Sequence, residues 1–395
     1  MFGTRMAGGT SALKGVMPLY KFIGNKILTA VQNRILKSNF SEFHSGYRSY
    51  STALLRSIPF EVNSNDFHFD TEIIIQCLAV KAKIVEIPIP TFYGDEVCHV
   101  NGMQYARNVV LASLRFSLGQ MGFLYDRKYD LKNQHYPRTD SPYSAHQRIV
   151  DKVPAFSRTL VIGCTSATMI QRLVAKGCVV DGIDSMPREE VPAALHTYHR
   201  INLATELERL AEILKNNNYD YILLADVLER MVEPERLLDF IRTENAPRPR
   251  PTVIASTSNV AFIVLRAMLA LGQFNYGVRG ILDRHHTRLF TKKSFERIFV
   301  QSGFDVEEIS GVSLPLSTVF GDSSGLAMKL EAATDFLART WPGSTAYQLI
   351  ISAKPLPTTN QLLEVSQDHS EDLRNHEQAE VDEDETETAD APVVH

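Results

Sequence analysis

Apolar residues recur at helical spacing over residues 19–36, where Phe22, Ile23, Ile27, Leu28, Val31 and Ile35 fall along one side. Residues 103–125 repeat the pattern, with Arg107 and Arg115 set into it. Between them, PFEVNSNDFHFDTEIIIQCLAV runs from a polar loop into a buried helix, and KIVEIPIPTFYGDE alternates as a strand closed by prolines and a turn. From Arg158 the pattern changes. Short apolar runs at 160–162, 179–183, 219–224 and 252–256 alternate with helical stretches, which predicts βαβ units and a parallel sheet. Residues 144–153 and 259–274 read as further helices, and residues 347–353 as a closing strand. Residues 127–148 are polar, with Pro137 and Pro142, and read as a linker leading into that short helix.

The chain has 395 residues, enough for two or three domains with cores of their own. Its formal charge of −5 is unevenly spread, because the stretch from residue 366 to the end holds eleven acids against Arg374 alone. The tail therefore carries −10 and the body about +5. A mildly basic body suits phosphate-bearing ligands and gives no footprint for nucleic acid. Residues 354–395 contain no aromatic residue and are expected to be disordered. Cys77, Cys98, Cys164 and Cys178 form no C-x-x-C pair and suit a reducing compartment. No basic-then-apolar signal opens the sequence and no stretch is apolar enough to span a bilayer, so a cytoplasmic location is expected.

Residues 158–184, RTLVIGCTSATMIQRLVAKGCVVDGID, read as strand, tight turn, helix and strand. Such a unit puts its first turn and the end of its second strand on one sheet edge, where ligands of open α/β sheets bind. Gly163 permits the sharp turn, and Asp184 is placed to accept from two ribose hydroxyls. This stretch resembles motif I of the class I S-adenosylmethionine-dependent methyltransferases, an acidic residue followed by G-x-G-x-G. Only Gly163 of that pattern is kept: Ile162 replaces the acid, and Thr165 and Ala167 replace the second and third glycines. The resemblance continues in order. Asn202 stands where the family's adenine-binding aspartate usually sits, and ADVLER from Ala225 resembles D-V-L-E-H, with Arg230 for histidine. It implies that Gly163, Cys164, Thr165, Asp184, Asn202, Asp226 and Val227 hold S-adenosyl-L-methionine. Asp226 has a second use open to it, as a helix N-cap. GILDRHHTRLFT, from Gly280, resembles a segment of one bacterial methyltransferase subgroup, in which His286 matches the motif's histidine. His286 is either a catalytic group that orients the acceptor hydroxyl or takes its proton, or a satisfied polar turn. For His285 the turn is preferred.

Residues 1–126 resemble the C-terminal part of a family 2 glycosyltransferase of the dolichol-phosphate-sugar synthase type. The carrying residues are Ser45–Arg48 (S-G-Y-R), Phe69–Glu72 (F-D-T-E) and Glu86–Pro90 (E-I-P-I-P). Glu42 holds the position of an acid that lies near the acceptor hydroxyl in that family; the alternative is an ion pair in a loop, with Arg48 a packing contact. The family's nucleotide-sugar half and its metal-holding D-x-D lie upstream of S-G-Y-R. Here the residues before Ser45 contain no D-x-D, and the one D-x-D in the chain, Asp382–Asp384, falls in the tail. The block therefore reads as a fragment of a longer protein, a relic or a docking surface. Residues 103–125 are expected to pack between domains; a peripheral membrane or lipid-carrier contact is their other use.

The expected architecture is α/β: a glycosyltransferase-like fragment of the GT-A type (1–126), a linker (127–139), a Rossmann-like class I methyltransferase domain (140–356) and a disordered acidic tail (357–395). The expected function is methyl transfer from S-adenosyl-L-methionine to an oxygen of a small molecule, sugar or lipid-linked glycan, with no metal and no nucleic acid. The alternative is a binding protein built from two worn enzyme domains.

Overall fold

The computed structural model describes residues 1–7, 17–90, 101–131, 142–164, 166–244, 250–314 and 325–363, and Ser366, Gln367, Ser370 and Arg374 beyond them. Thr165, Cys98, most of the expected linker and nearly all of the acidic tail lie outside the described residues. The chain divides into two compact units, neither continuous in sequence. One is Met1–Arg148 with Thr257–Lys292 and Ser310–Ile350; the other is Ile149–Ser256 with Lys293–Ile309 and Ile351–His395.

In the first unit, β1 (Phe2–Thr4) pairs in parallel with β2 (Glu86–Pro88). Around this pair stand α1 (Leu19–Leu36), α2 (Phe69–Ala79) and α3 (Gly102–Gln120). Helix α1 forms where its apolar spacing predicts, but with its faces reversed. It buries Phe22, Asn25, Thr29 and Gln32, while Ile23, Ile27 and Val31 face outward. The cause is a buried carboxylate. Glu42, 4% exposed, is held by the Arg5 guanidinium and backbone N–H and by the Asn25 amide (2.7 Å), and Thr29 donates on to Asn25 (3.2 Å). Burying that charge requires polar partners on the helix facing it. Arg48 is occupied elsewhere, pairing with Asp70 at 3.1 Å. Within the expected linker, residues 127–131 are anchored: Tyr129 and Leu131 are buried, Lys128 pairs with the buried Glu72 at 2.6 Å, and Gln76 donates to the Lys128 carbonyl.

The chain leaving α3 packs on the later segments of the same unit. Met121 and Phe123 share an apolar cluster with Phe262, Leu265 and Met268, around α8 (Ile263–Ala270), and with Ile281 and Leu282. Gly122 and Gly280 meet backbone to backbone in left-handed conformations, φ +84° and +87°. A Cβ on Gly280 would stand 2.7 Å from the Gly122 Cα.

The second unit begins its regular structure after α4 (Ala145–Lys152). There follow β3 (Arg158–Ile162), α5 (Ala167–Ala175), β4 (Val179–Asp184), β5 (Thr197–Arg200), α6 (Glu208–Asn216), β6 (Tyr221–Ala225), α7 (Pro234–Glu244), β7 (Thr252–Ser258), α9 (Lys292–Gln301), β8 (Phe304–Val312) and β9 (Gln348–Pro355). The seven strands form one sheet in the order β5-β4-β3-β6-β7-β9-β8, and the pairs β5/β4, β4/β3, β3/β6 and β6/β7 are parallel. Counted from β3 this is 3-2-1-4-5-7-6, the dinucleotide-binding order with one more strand set between the last two. The central strands are apolar throughout, as strands covered on both faces must be: Leu160–Ile162 and Ile222–Leu224 are fully buried.

One buried acid ties β4 to β3 and to the residues that lead into β5 and β6. Asp181 of β4, 2% exposed, accepts from Tyr219 (3.0 Å), lies 3.1 Å from His196 Nδ1 and 3.6 Å from the Arg158 guanidinium. Burial works to raise its pKa, but the hydrogen bonds from His196, Tyr219 and Thr197, with Arg158, outweigh it and hold the carboxyl below its usual range.

Two outcomes are expected. Gly280→Ala should lower stability by roughly 2–4 kcal/mol in urea unfolding, because it adds left-handed strain and a backbone overlap. Gly24→Ala, at an open helical position, should not; equal effects would mean the two backbones do not touch. Asp181, with its depressed folded pKa, contributes stability above about pH 3.9 that is lost as pH falls through the folded value. Wild type should therefore exceed Asp181→Asn in stability at neutral pH, and the gap should narrow on acidification; a constant gap would count against the ion network.

Candidate functional site

Strand β3 is paired on both sides, with Ile162 opposite Ile183 of β4 and Leu224 of β6. The register puts Gly163, Asp184 and Asp226 at neighbouring carboxyl ends of three adjacent strands. The strand order reverses between β3 and β6, the place where open α/β sheets take their ligands.

Gly163 has φ +85°, and a Cβ there would stand 2.7 Å from the Val227 side chain. Its glycine requirement thus arises from the turn and from Val227, itself buried. Its N–H donates to the Ile183 carbonyl (2.9 Å). The next N–H, of Cys164, donates to Asp184 Oδ2 (2.7 Å), and that of Met186 to Asp184 Oδ1 (3.2 Å). Each carboxylate oxygen has about two acceptor sites, so two backbone bonds leave room for two more donors. The half-buried Asp184 is thereby oriented and still able to take a diol. The Cys164 thiol is buried, and burial together with the Asp184 charge pushes its pKa up to about 12, so it stays protonated. Cys164 contributes its backbone, already bonded to Asp184. Ser166 caps α5, accepting from the Met169 N–H (3.3 Å), and Ala167 opens the helix where the motif would carry glycine.

Asp226 is left-handed, φ +56°, a conformation aspartate tolerates better than most side chains. It does not cap the short helix Leu228–Arg230, whose capping position is Val227. Instead it forms a reciprocal pair with Ser256 of β7: the Asp226 N–H donates to the hydroxyl (3.1 Å), which donates to Asp226 Oδ1 (2.7 Å). Asn202 follows β5 at the same edge and is exposed. Its side-chain oxygen accepts from Ala204 N–H (3.0 Å), so one of its two acceptor sites is spent within its own turn.

The sequence reading missed three residues here. Ser256 fixes Asp226; the signal was a hydroxyl at the end of the strand after β6, opposite Ala225. Tyr198 donates to the Asp184 and Met186 carbonyls (3.0 and 2.5 Å), and Arg200 to the Ser185 carbonyl (3.1 Å), so β5 fixes the loop that leaves Asp184.

The two histidines belong to the first unit. His286 is half-buried, its Nδ1 lying 3.1 Å from the Ile281 carbonyl. His285 is exposed, with Nδ1 2.8 Å from the buried Asp283. Also in that unit, Glu42 is enclosed by Arg5 and Asn25 as described. Among the described residues no group of three or more His, Cys, Asp or Glu side chains could hold a metal ion.

Residues 133–309, somewhat under half the chain, match a family model described as a methyltransferase domain. No curated protein matches the chain. Solved structures similar to it include an S-adenosylmethionine-dependent methyltransferase from Archaeoglobus fulgidus (14% identity, 54% of this chain and 92% of that one, TM-score 0.35). Another is such a methyltransferase from Mesorhizobium loti (14% identity, 53% and 98%, TM-score 0.35). A third is the 1,6-didemethyltoxoflavin-N1-methyltransferase of Burkholderia thailandensis with bound 1,6-didemethyltoxoflavin and S-adenosylhomocysteine (11% identity, 55% and 79%, TM-score 0.33). The family match over that span, laid on a sheet of this order, gives residues 133–309 the likeness of a methyltransferase domain of the kind that uses S-adenosyl-L-methionine.

Proposed function

We propose that the chain transfers a methyl group from S-adenosyl-L-methionine to an oxygen of a small molecule, sugar or lipid-linked glycan. The observation that carries this reading is Asp184: a carboxylate held by two backbone amides, with acceptor capacity to spare, beside a left-handed glycine at the strand-order reversal. The residues present fit the cofactor. Asp184 would take the ribose diol, Gly163 and Cys164 would line the methionine end with Thr165, and Asp226, Val227 and Asn202 would border the adenine. The bound sulfonium supplies an activated methyl group, so the protein's part is positioning and exclusion of water. Ser256 keeps Asp226 in place, and Tyr198 and Arg200 keep the loop after Asp184 from moving. His286 is proposed as the group that orients the acceptor hydroxyl or takes its proton.

The proposed domain limits are those of the sequence: a methyltransferase domain over 140–356, a linker over 127–139, an acidic tail over 357–395, and, over 1–126, a relative of the C-terminal part of family 2 glycosyltransferases. Glu42 is proposed as a structural acid in this block, because its carboxylate is enclosed by Arg5 and Asn25. A second reading, a binding protein without catalysis, is favoured by one observation: Ile162, fully buried, stands where the motif has its acid.

Isothermal titration with S-adenosyl-L-methionine tests the first reading. Asp184→Ala should weaken binding ten- to a hundredfold, about 1.5–3 kcal/mol for a charge-assisted acceptor; unchanged affinity would remove Asp184 from the ribose. No turnover of nucleotide sugars is expected with Mg²⁺ or Mn²⁺, and metal-dependent release of a nucleoside diphosphate would restore the N-terminal block as an enzyme.

A further inference from the structure

Helix α1 turns its polar side chains inward and its apolar ones out. Leu19, Tyr20, Ile23, Ile27 and Val31 lie on one exposed stripe, with Ile27 59% exposed. Helix α3, in the same unit, does likewise with Met103, Leu111 and Leu114, and Met103 is 82% exposed. A groove lined by Leu28, Met103, Ala106, Arg107, Val110 and Leu111 joins the two helices. Exposed apolar side chains gathered in this way mark a surface that meets something.

Charge identifies what it meets. Neither helix contains an aspartate or glutamate. Their exposed charged residues are Lys26, Arg34, Arg107 and Arg115, and Lys37 follows α1. Apolar side chains on two helices whose charges are all cationic fit a surface that offers hydrocarbon beneath negative charge, as an anionic lipid bilayer does. A second copy of the same face would set like charges against each other. No described helix is long and apolar enough to cross a membrane, so the contact is one of lying on the surface.

We propose that the α1/α3 face docks on anionic membranes, its apolar stripe entering the headgroup region and its lysines and arginines meeting lipid phosphates. The inference stands independently of methyl transfer. Flotation of the full chain with vesicles of phosphatidylcholine, alone or mixed with phosphatidylserine, tests it. The chain should float with the mixed vesicles and much less with the neutral ones. Lys26→Gln and Arg107→Gln should each weaken binding by about fivefold at low salt. Ile27→Glu with Leu111→Glu should weaken it roughly tenfold or more; near-UV circular dichroism checks the fold, and Ile27→Ser with Leu111→Ser replaces the pair if it fails to fold. Lack of flotation, equal flotation with both vesicles, or flotation indifferent to the apolar substitutions would overturn the proposal. So would a dimer in sedimentation velocity that these substitutions dissolve, which would make the face a protein contact.

Discussion

Strand β3 is hydrogen-bonded along both edges, and the site depends on that constraint. A strand with one neighbour fixes one loop end; with two it fixes three. The register leaves no freedom in where Gly163, Asp184 and Asp226 emerge, because Ile162 is opposite both Ile183 and Leu224. The side-chain bonds that follow are short-range adjustments to a frame already set: an amide to Asp184, a hydroxyl to Asp226, a tyrosine to the loop between them. Below the edge, Asp181 ties the same strands together with charge.

The βαβ unit was legible because each of its signals is local. Apolar runs, a glycine at the turn and an acid at the strand end are each decided by neighbours in sequence, and the strands lie where those runs stand. Helix α1 was legible in its limits but not in which face it buries. Periodicity shows that a helix has two sides, but not which one is buried. That was settled by Glu42, a residue beyond the helix whose enclosed carboxylate draws Asn25 inward. Asn202 and Asp226 were singled out by the family resemblance, which did not point to their partners, since Ala204 and Ser256 enter through turn geometry and strand register. Residues 127–131 looked polar and unanchored. Their anchors, Glu72 and Gln76, come from a helix more than fifty residues earlier.

The N-terminal block keeps several charges and amides under cover. Glu42 with Arg5, Glu72 with Lys128 and Gln76 with Asn63 are paired within it. Such arrangements contribute little net stability compared with apolar packing, but they penalise every alternative packing that leaves one partner alone. A block built this way has a narrowly defined interior. That interior leaves the apolar side chains of α1 to the outside, so the polar core and the greasy surface are two results of one choice.

The contact between Gly122 and Gly280 bears on how this protein can be divided. A cut near residue 140 follows the sequence and is meant to free a self-sufficient C-terminal half. It would strip Met121 and Phe123 from the cluster that also holds Phe262, Leu265, Ile281 and Leu282. The shortened chain would emerge with a fresh apolar scar where a glycine once lay against a glycine, and such scars make proteins aggregate. Any dissection that respects the packing has to keep residues 1–131 with the segment around Gly280, or remove both.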